Sequence, residues 1–253
     1  MAIRPQILTD IHLSDFVSHL LKTDTQSILI FCGSKEMFLE QLLTVGNETT
    51  TNDSDDPTSD TDEAALRANT ALNELLRPPT LHQLASSRSV KLAVCPDVAH
   101  LRAYLAMIAL AQAKEAEIDT TKVHCQNRDS ILAILNPLDL HRSTSSFSAQ
   151  GINRTFASAV EAAHATERRL LMAECPPNTP REPDQLDMGF EVEHENDVRL
   201  PDNPWDQEVS ILNVTTKSFG AGGRGWVGRT VTIRRIAERW FEFSQCRLHD
   251  HSE

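Results

Sequence analysis

Three short stretches carry the side chains best suited to chemistry. In the first, Gly33-Ser34-Lys35 places a glycine, a hydroxyl and an ammonium where the apolar run SILIFC gives way to a helical pattern. A strand, a tight glycine turn and a helix N-terminus form the geometry that cradles a phosphate on backbone N–H groups. The spacing GxxxxGK[ST] is absent, so no second glycine wraps a triphosphate and no Lys-Ser/Thr pair holds its magnesium ion. The competing reading has Ser34 capping the helix and Lys35 in solvent. In the second stretch, Arg224, Trp226 and Arg229 stand in the glycine-rich run FGAGGRGWVGR. Guanidinium groups beside an aromatic ring on a flexible loop hold phosphates and stack a base, which makes these three the candidate nucleic-acid contacts. Against that, the glycines serve turn geometry alone and Trp226 folds back on the sheet. Arg234 and Arg235, read as consecutive strand residues, face opposite sides, so at most one joins the patch. In the third stretch, His141 lies near Ser143, Ser145 and Ser146. No GxSxG elbow and no partner acid accompany them, and the segment reads as a hydroxyl-rich surface loop.

Metal chemistry finds little purchase. TNDSDDPTSDTDE lacks the central glycine of a calcium loop, and the tail with Cys246, His249 and His251 has no second ligand cluster. No catalytic residue, cofactor or metal is therefore assigned.

The elements that must position these groups follow from hydrophobic period. Ser27 to Cys32, Val90 to Cys95, Ile131 to Leu135 and Leu170 to Ala173 are short, nearly continuous apolar runs, as expected of buried parallel strands. Helical stripes alternate with them. Leu13, Phe16, Val17, Leu20 and Leu21 follow Asp10 as a cap; Phe38, Leu39, Leu42 and Leu43 follow Ser34. Leu72, Leu75 and Leu76 mark a helix over Ala64 to Leu76; Leu101, Tyr104, Leu105 and Ile108 follow Asp97 as a cap. After Asn136-Pro137 and a polar crossover, Ile152, Phe156, Val160 and Ala163 mark another helix. Alternating strands and helices imply an α/β fold, read as one domain over residues 1–253. Beyond Trp205 the runs Val209 to Thr215, Thr230 to Ile236 and Trp240 to Phe243 alternate, and predict C-terminal antiparallel strands joined by a hairpin loop.

The 253-residue chain is 40% hydrophobic and carries a formal charge of −12, with 24 Lys+Arg against 36 Asp+Glu. That balance taken alone argues against broad nucleic-acid affinity, and any such contact is expected to be local to the one segment with a clear basic excess, Lys217 to Arg247. Two acidic insertions, 47–62 and 176–204, have too few apolar side chains to offset ordering and are expected to be disordered or flexible, as is the tail 247–253. Cys32, Cys95, Cys125, Cys175 and Cys246 are odd in number without a CxxC pair and read as reduced core thiols. No apolar run reaches membrane-spanning length and no leader pattern opens the chain, so it is expected to be soluble and intracellular, with the sequons at Asn47, Asn153 and Asn213 unused.

The order of strand, glycine turn and helix, then two strand–helix pairs, a further strand and an arginine-bearing ribbon resembles the RecA-like recombinase ATPases. FCGSKEMFLEQLL stands where that family has its Walker A loop, and ILAILN stands at Walker B, with Asn136 in place of the aspartate. RRLLMAE resembles the strand leading to a mobile loop, and WDQEVSILNV with GRTVTIRRI resembles the closing ribbon. The resemblance covers most of residues 25 to 245 but lacks the family's diagnostic motifs. It implies a RecA-like, mostly parallel sheet flanked by helices in a subunit that has lost hydrolysis. Similar degenerate members are the Shu-complex-type recombinase paralogues and the RecA-like subunits of the Elongator accessory subcomplex. Their likeness implies a RecA-like partner subunit and either nuclear work in homologous recombination and DNA repair or tRNA modification. The alternative from another class is an α/β enzyme binding a nucleotide or small phosphate at the Gly33 turn.

Overall fold

The computed structural model describes residues 4–23, 25–44, 81–118, 130–175, 203–212 and 229–245. Five strands, β1 (Gln6–Thr9), β2 (Ser27–Cys32), β3 (Val90–Cys95), β4 (Ile131–Leu135) and β5 (Arg169–Ala173), alternate with helices. Two short strands follow, β6 (Glu208–Ser210) and β7 (Thr230–Thr232), and then β8 (Glu242–Gln245). The main sheet has six strands in the order β3-β2-β4-β5-β1-β8, all neighbours parallel, while β6 and β7 form a separate antiparallel pair. The fold is therefore α/β with a parallel sheet flanked by helices and a small antiparallel ribbon.

Period two along each strand divides the core between the faces. On β2, Ile28, Ile30 and Cys32 join one cluster while Leu29 and Phe31 join the other; on β4, Leu132 and Ile134 oppose Ile131, Ala133 and Leu135. Burial on both faces explains why these strands read as unbroken apolar runs. Helices α1 (Leu13–Leu21) and α2 (Lys35–Thr44) cover one face through Phe16, Leu20 and Phe38. A short helix, α3 (Leu81–Ser87), precedes β3. Helices α4 (Val98–Ile118) and α6 (Ala149–Ala165) cover the other face through Leu101, Leu105, Ile152 and Phe156. Between them in the chain comes α5 (Pro137–Arg142), and α7 (Ile233–Ala237) leads into β8. The connection from β2 runs to β3 on one side, and that from β4 runs to β5 on the other. The carboxyl ends of β2 and β4 thus form a topological switch point, where open α/β sheets place ligands.

Several expectations need correction. The chain's first strand is β1, so Gly33 ends the second strand and not the first. Asp10 caps nothing: it turns in the left-handed region (φ 54°), carrying Ile11 into the core, and α1 begins after His12 without a side-chain cap. Leu39 is 46% exposed, because α2 instead turns Phe38 onto Phe31 with ring centroids 5.0 Å apart. The crossover after Asn136 is not loop but α5, begun by Pro137 at its first position. Within Thr230 to Ile236 only Thr230–Thr232 is strand: Ile233, Ile236 and Ala237 are buried at helical spacing. Arg234 and Arg235 therefore sit on α7 rather than on opposite faces of a strand. Glu242–Gln245 pairs parallel with β1, so the last strand is no part of an antiparallel ribbon. Residues 47–62, 64–76, 176–202, 247–253, Cys125 and Cys246 lie outside the described residues.

Candidate functional site

The switch point is closed by the protein's own groups. Asn136, 2% exposed, ends β4 in the left-handed region (φ 56°), where its type is tolerated. Its backbone N–H donates to the Ala173 carbonyl (2.9 Å), its Oδ1 accepts from the Cys175 N–H (2.7 Å), and its Nδ2 donates weakly to Gln41 Oε1 (3.4 Å). Beside it Glu174, half-buried at the end of β5, accepts from the Leu138 N–H (2.6 Å) and so caps α5. Burial pushes the Glu174 carboxyl up to about 8, only partly offset by that hydrogen bond. Burial, then the neighbouring Glu174 and Cys95, raises the Cys32 thiol, and burial likewise raises Cys95 and Cys175. All three are free, buried thiols, held away from the reactive thiolate.

The glycine turn is equally occupied. Gly33 (φ 149°) donates its N–H to the Cys95 carbonyl (2.9 Å), and an added Cβ would press on the Phe31 ring at 2.9 Å, so this position admits only glycine. The Ser34 hydroxyl accepts from the Met37 N–H (3.2 Å) as a helix cap, and Lys35 is exposed at the start of α2. The turn at the end of β1, Thr9-Asp10-Ile11-His12, has no glycine at all.

His141 belongs to the core rather than to a surface loop. It is 1% exposed on α5, where Leu138 and Leu140 draw the helix inward. The Ser146 carbonyl, 3.2 Å from Nδ1, can only accept, so Nδ1 carries the proton and Nε2, 2.9 Å from the Thr155 hydroxyl, accepts. Arg102 Nε then donates to that same hydroxyl oxygen (3.1 Å) and its Nη2 to the Gly151 carbonyl (2.7 Å). Burial lowers His141 to about 4, which keeps it neutral. This network ties α4, α5 and α6 together and leaves no nucleophile poised.

A second region is open. Between the first turns of α6 and the unit formed by β6, β7 and α7 lies a cleft of about 770 Å³. Its frame is well bonded: the Gln150 N–H donates to the Ile211 carbonyl (3.3 Å), the Ile211 N–H to the Arg229 carbonyl (3.0 Å), and Trp240 Nε1 to Asn153 Oδ1 (2.9 Å). Trp205, 2% exposed, anchors the unit against Phe156 and Phe243. Arg234 bonds Asp206 (2.7 Å) and lies over the Phe243 ring. Arg235 and Arg239 line the cleft as exposed side chains with no ion pair among the described residues. Ile211 and Leu212, 41% and 57% exposed, form its apolar wall.

Of the sequence-derived candidates, Gly33, Ser34 and Lys35 lie together at the β2 turn. Arg229 is exposed at the start of β7, and Arg224 and Trp226 lie outside the described residues. Sequence reasoning missed Glu174, Gln41 and the pair Arg235/Arg239. The helical spacing of Ile233, Ile236 and Ala237 was the signal that would have put Arg235 on a helix, with Arg239 in the turn after it. Among the described residues no group of three His, Cys, Asp or Glu is placed to hold a metal, and no helix is long and apolar enough to cross a membrane. Comparison with protein-family models, curated proteins and solved structures finds no match for this chain.

Proposed function

We propose that the chain is a non-catalytic subunit of RecA-like type that acts by assembling with a second RecA-like subunit, in a heteromer serving homologous recombination and DNA repair in the nucleus. The observation that carries this reading is the closed switch point. The position of the Walker B acid holds an amide engaged with Cys175 and Gln41, and the adjacent carboxylate caps α5. Neither the β1 turn nor the β2 turn offers a glycine-rich loop for phosphates. A surface suited to assembly accompanies it. On α4, Ala99, Ala103, Ala106, Met107 and Leu110 are all exposed and recur at spacings of three and four, an uncharged stripe opposite the buried one. A helix apolar on both faces normally has protein on both. Contact with single-stranded nucleic acid belongs, in this reading, to Arg224, Trp226 and Arg229.

The test is affinity purification of the tagged full chain from cell extract, followed by identification of bound proteins. A RecA-like partner is expected, its recovery lost in Met107→Glu/Leu110→Glu. A stable monomer that captures no such partner would count decisively against assembly.

A further inference from the structure

We propose that the cleft between α6 and the β6–β7–α7 unit is a docking groove for a partner's peptide segment in which apolar side chains alternate with carboxylates. Two halves of the cleft point to that chemistry. Ile211, Leu212, Val231 and Ile236 supply an apolar wall, and the exposure of the first two leaves area for a partner to bury. Arg235 and Arg239 supply the cationic half. Arg235 lies on α7 and Arg239 in the turn that follows it, both are exposed, and neither is paired with a described carboxylate. Arg234 shows the contrast: its guanidinium is occupied by Asp206. Glu238 is the one acidic residue in the lining. A partner's carboxylate would gain bidentate hydrogen bonds from these guanidinium groups, while an adjacent apolar side chain reached the wall.

The same lining disfavours a nucleic acid. None of the described lining residues is aromatic, and Trp240 is half-buried with its indole N–H held by Asn153. Base stacking, which single-strand binders rely on, finds no platform among those described residues. The α6 N-terminus is satisfied from within, by the Ile211 carbonyl and the Ser148 hydroxyl, so recognition falls to side chains. A cationic cleft on a chain of net charge −12 also favours encounter through that cleft over the rest of the surface. The proposal rests on the reading of the chain as an assembling subunit, because it supplies the partner with a specific contact.

The experiment is a fluorescence anisotropy titration of the full chain with a labelled peptide of alternating Leu and Glu. The matching Leu/Gln peptide and labelled oligo-dT and oligo-U serve as comparisons. Saturable binding of the Leu/Glu peptide is expected, weakened at least tenfold by Arg235→Glu/Arg239→Glu, by Leu212→Asp, and by the Leu/Gln substitution. All three replaced residues are exposed, and circular dichroism of each variant checks that the fold is kept. Absence of binding, or equal binding to the charge-reversed variant, overturns the proposal. So does Arg235- and Arg239-dependent binding of an oligonucleotide in place of the peptide. Peptide binding seen only after deletion of residues 182–197 would make this chain's own acidic segment the occupant and overturn a foreign one. Peptide failure with partner capture retained sinks the groove alone. Capture failure with peptide binding retained sinks the assembly reading alone.

Discussion

At the carboxyl ends of β4 and β5, Asn136 and Glu174 are bonded to the backbone of Cys175 and Leu138, whereas Arg235 and Arg239 in the cleft meet no described carboxylate. The first region stands where α/β sheets ordinarily bind ligands, and there the protein has filled its own crevice. The second, beside the first turns of α6, keeps charge that no described carboxylate pairs, next to exposed leucine and isoleucine. Buried polar groups left without partners are costly, so an engaged polar site is the expected product of folding alone. Exposed groups carry no such demand. An unneutralised pair beside an apolar wall is a better pointer to recognition than a satisfied carboxylate with an unusual affinity for its proton.

If this contrast holds, substitutions at the closed edge should act on stability. The largest effect is expected for Asn136→Ala, which leaves the buried Cys175 N–H without an acceptor and puts a Cβ-bearing residue without local hydrogen bonds in the left-handed region. Together these cost roughly 2–4 kcal/mol. Asn136→Gly relieves the backbone term and should lose less, and urea unfolding of both variants separates the two contributions. Equal stability of all three chains would mean that the edge is not held closed by Asn136.

Glu174 gives the next effect, and its sign can be worked out. With a folded value near 8 against an ordinary 4.5, the folded state keeps a proton that the unfolded state has lost, so stability falls as pH rises between those values. His141 works the other way, since a folded value near 4 against 6.5 makes stability rise with pH up to 6.5. His19, also lowered by burial, acts with His141 against Glu174 below pH 6.5, and from 6.5 to 8 Glu174 is the described group whose shift spans the window. Thermal melts across that window should show stability declining by at most about 2 kcal/mol, and Glu174→Gln, which can still accept from Leu138, should flatten the slope. A slope unchanged in the variant would place the titrating group elsewhere.

The cleft supplies the smallest change in stability and the sharpest contrast. Arg235→Glu/Arg239→Glu should alter unfolding free energy by no more than about 0.5 kcal/mol, since both side chains are exposed and pair with no described carboxylate. A loss of several kcal/mol would show that these arginines hold the fold together, and the difference between the two regions would collapse.

How much of this was legible in the sequence depends on where the information lies. β2, β4 and β5 could be read because each is buried on both faces and composed of little but apolar residues, and the edge strand β3, with Lys91 and Leu92 exposed, could be read from its apolar run. β1 escaped notice because Gln6–Thr9 is four residues long with polar ends, and its place in the sheet is set by β5 and β8, both more than 150 residues away. β8 was misassigned for a similar reason: alternation reveals a strand without its neighbour, and proximity in the chain suggested an antiparallel partner. Ser34 and Asp97 cap α2 and α4 through local hydrogen bonds, which is the kind of feature a sequence states directly. His141 was misread because its environment comes from Thr155 and Ser146, brought to it by the packing of α6. The cleft has no sequence signature, since it joins α6 to residues some sixty to ninety positions later.

The central claim is that the switch point is closed and the Gly33 turn holds no nucleotide. Isothermal titration of the full chain with magnesium–ATP, for the wild type and Lys35→Ala, tests it most directly. The account predicts no saturable heat up to millimolar ATP in either protein. Saturable binding in the wild type that is lost in Lys35→Ala would contradict it, and would make the turn at Gly33-Ser34-Lys35 a working phosphate site.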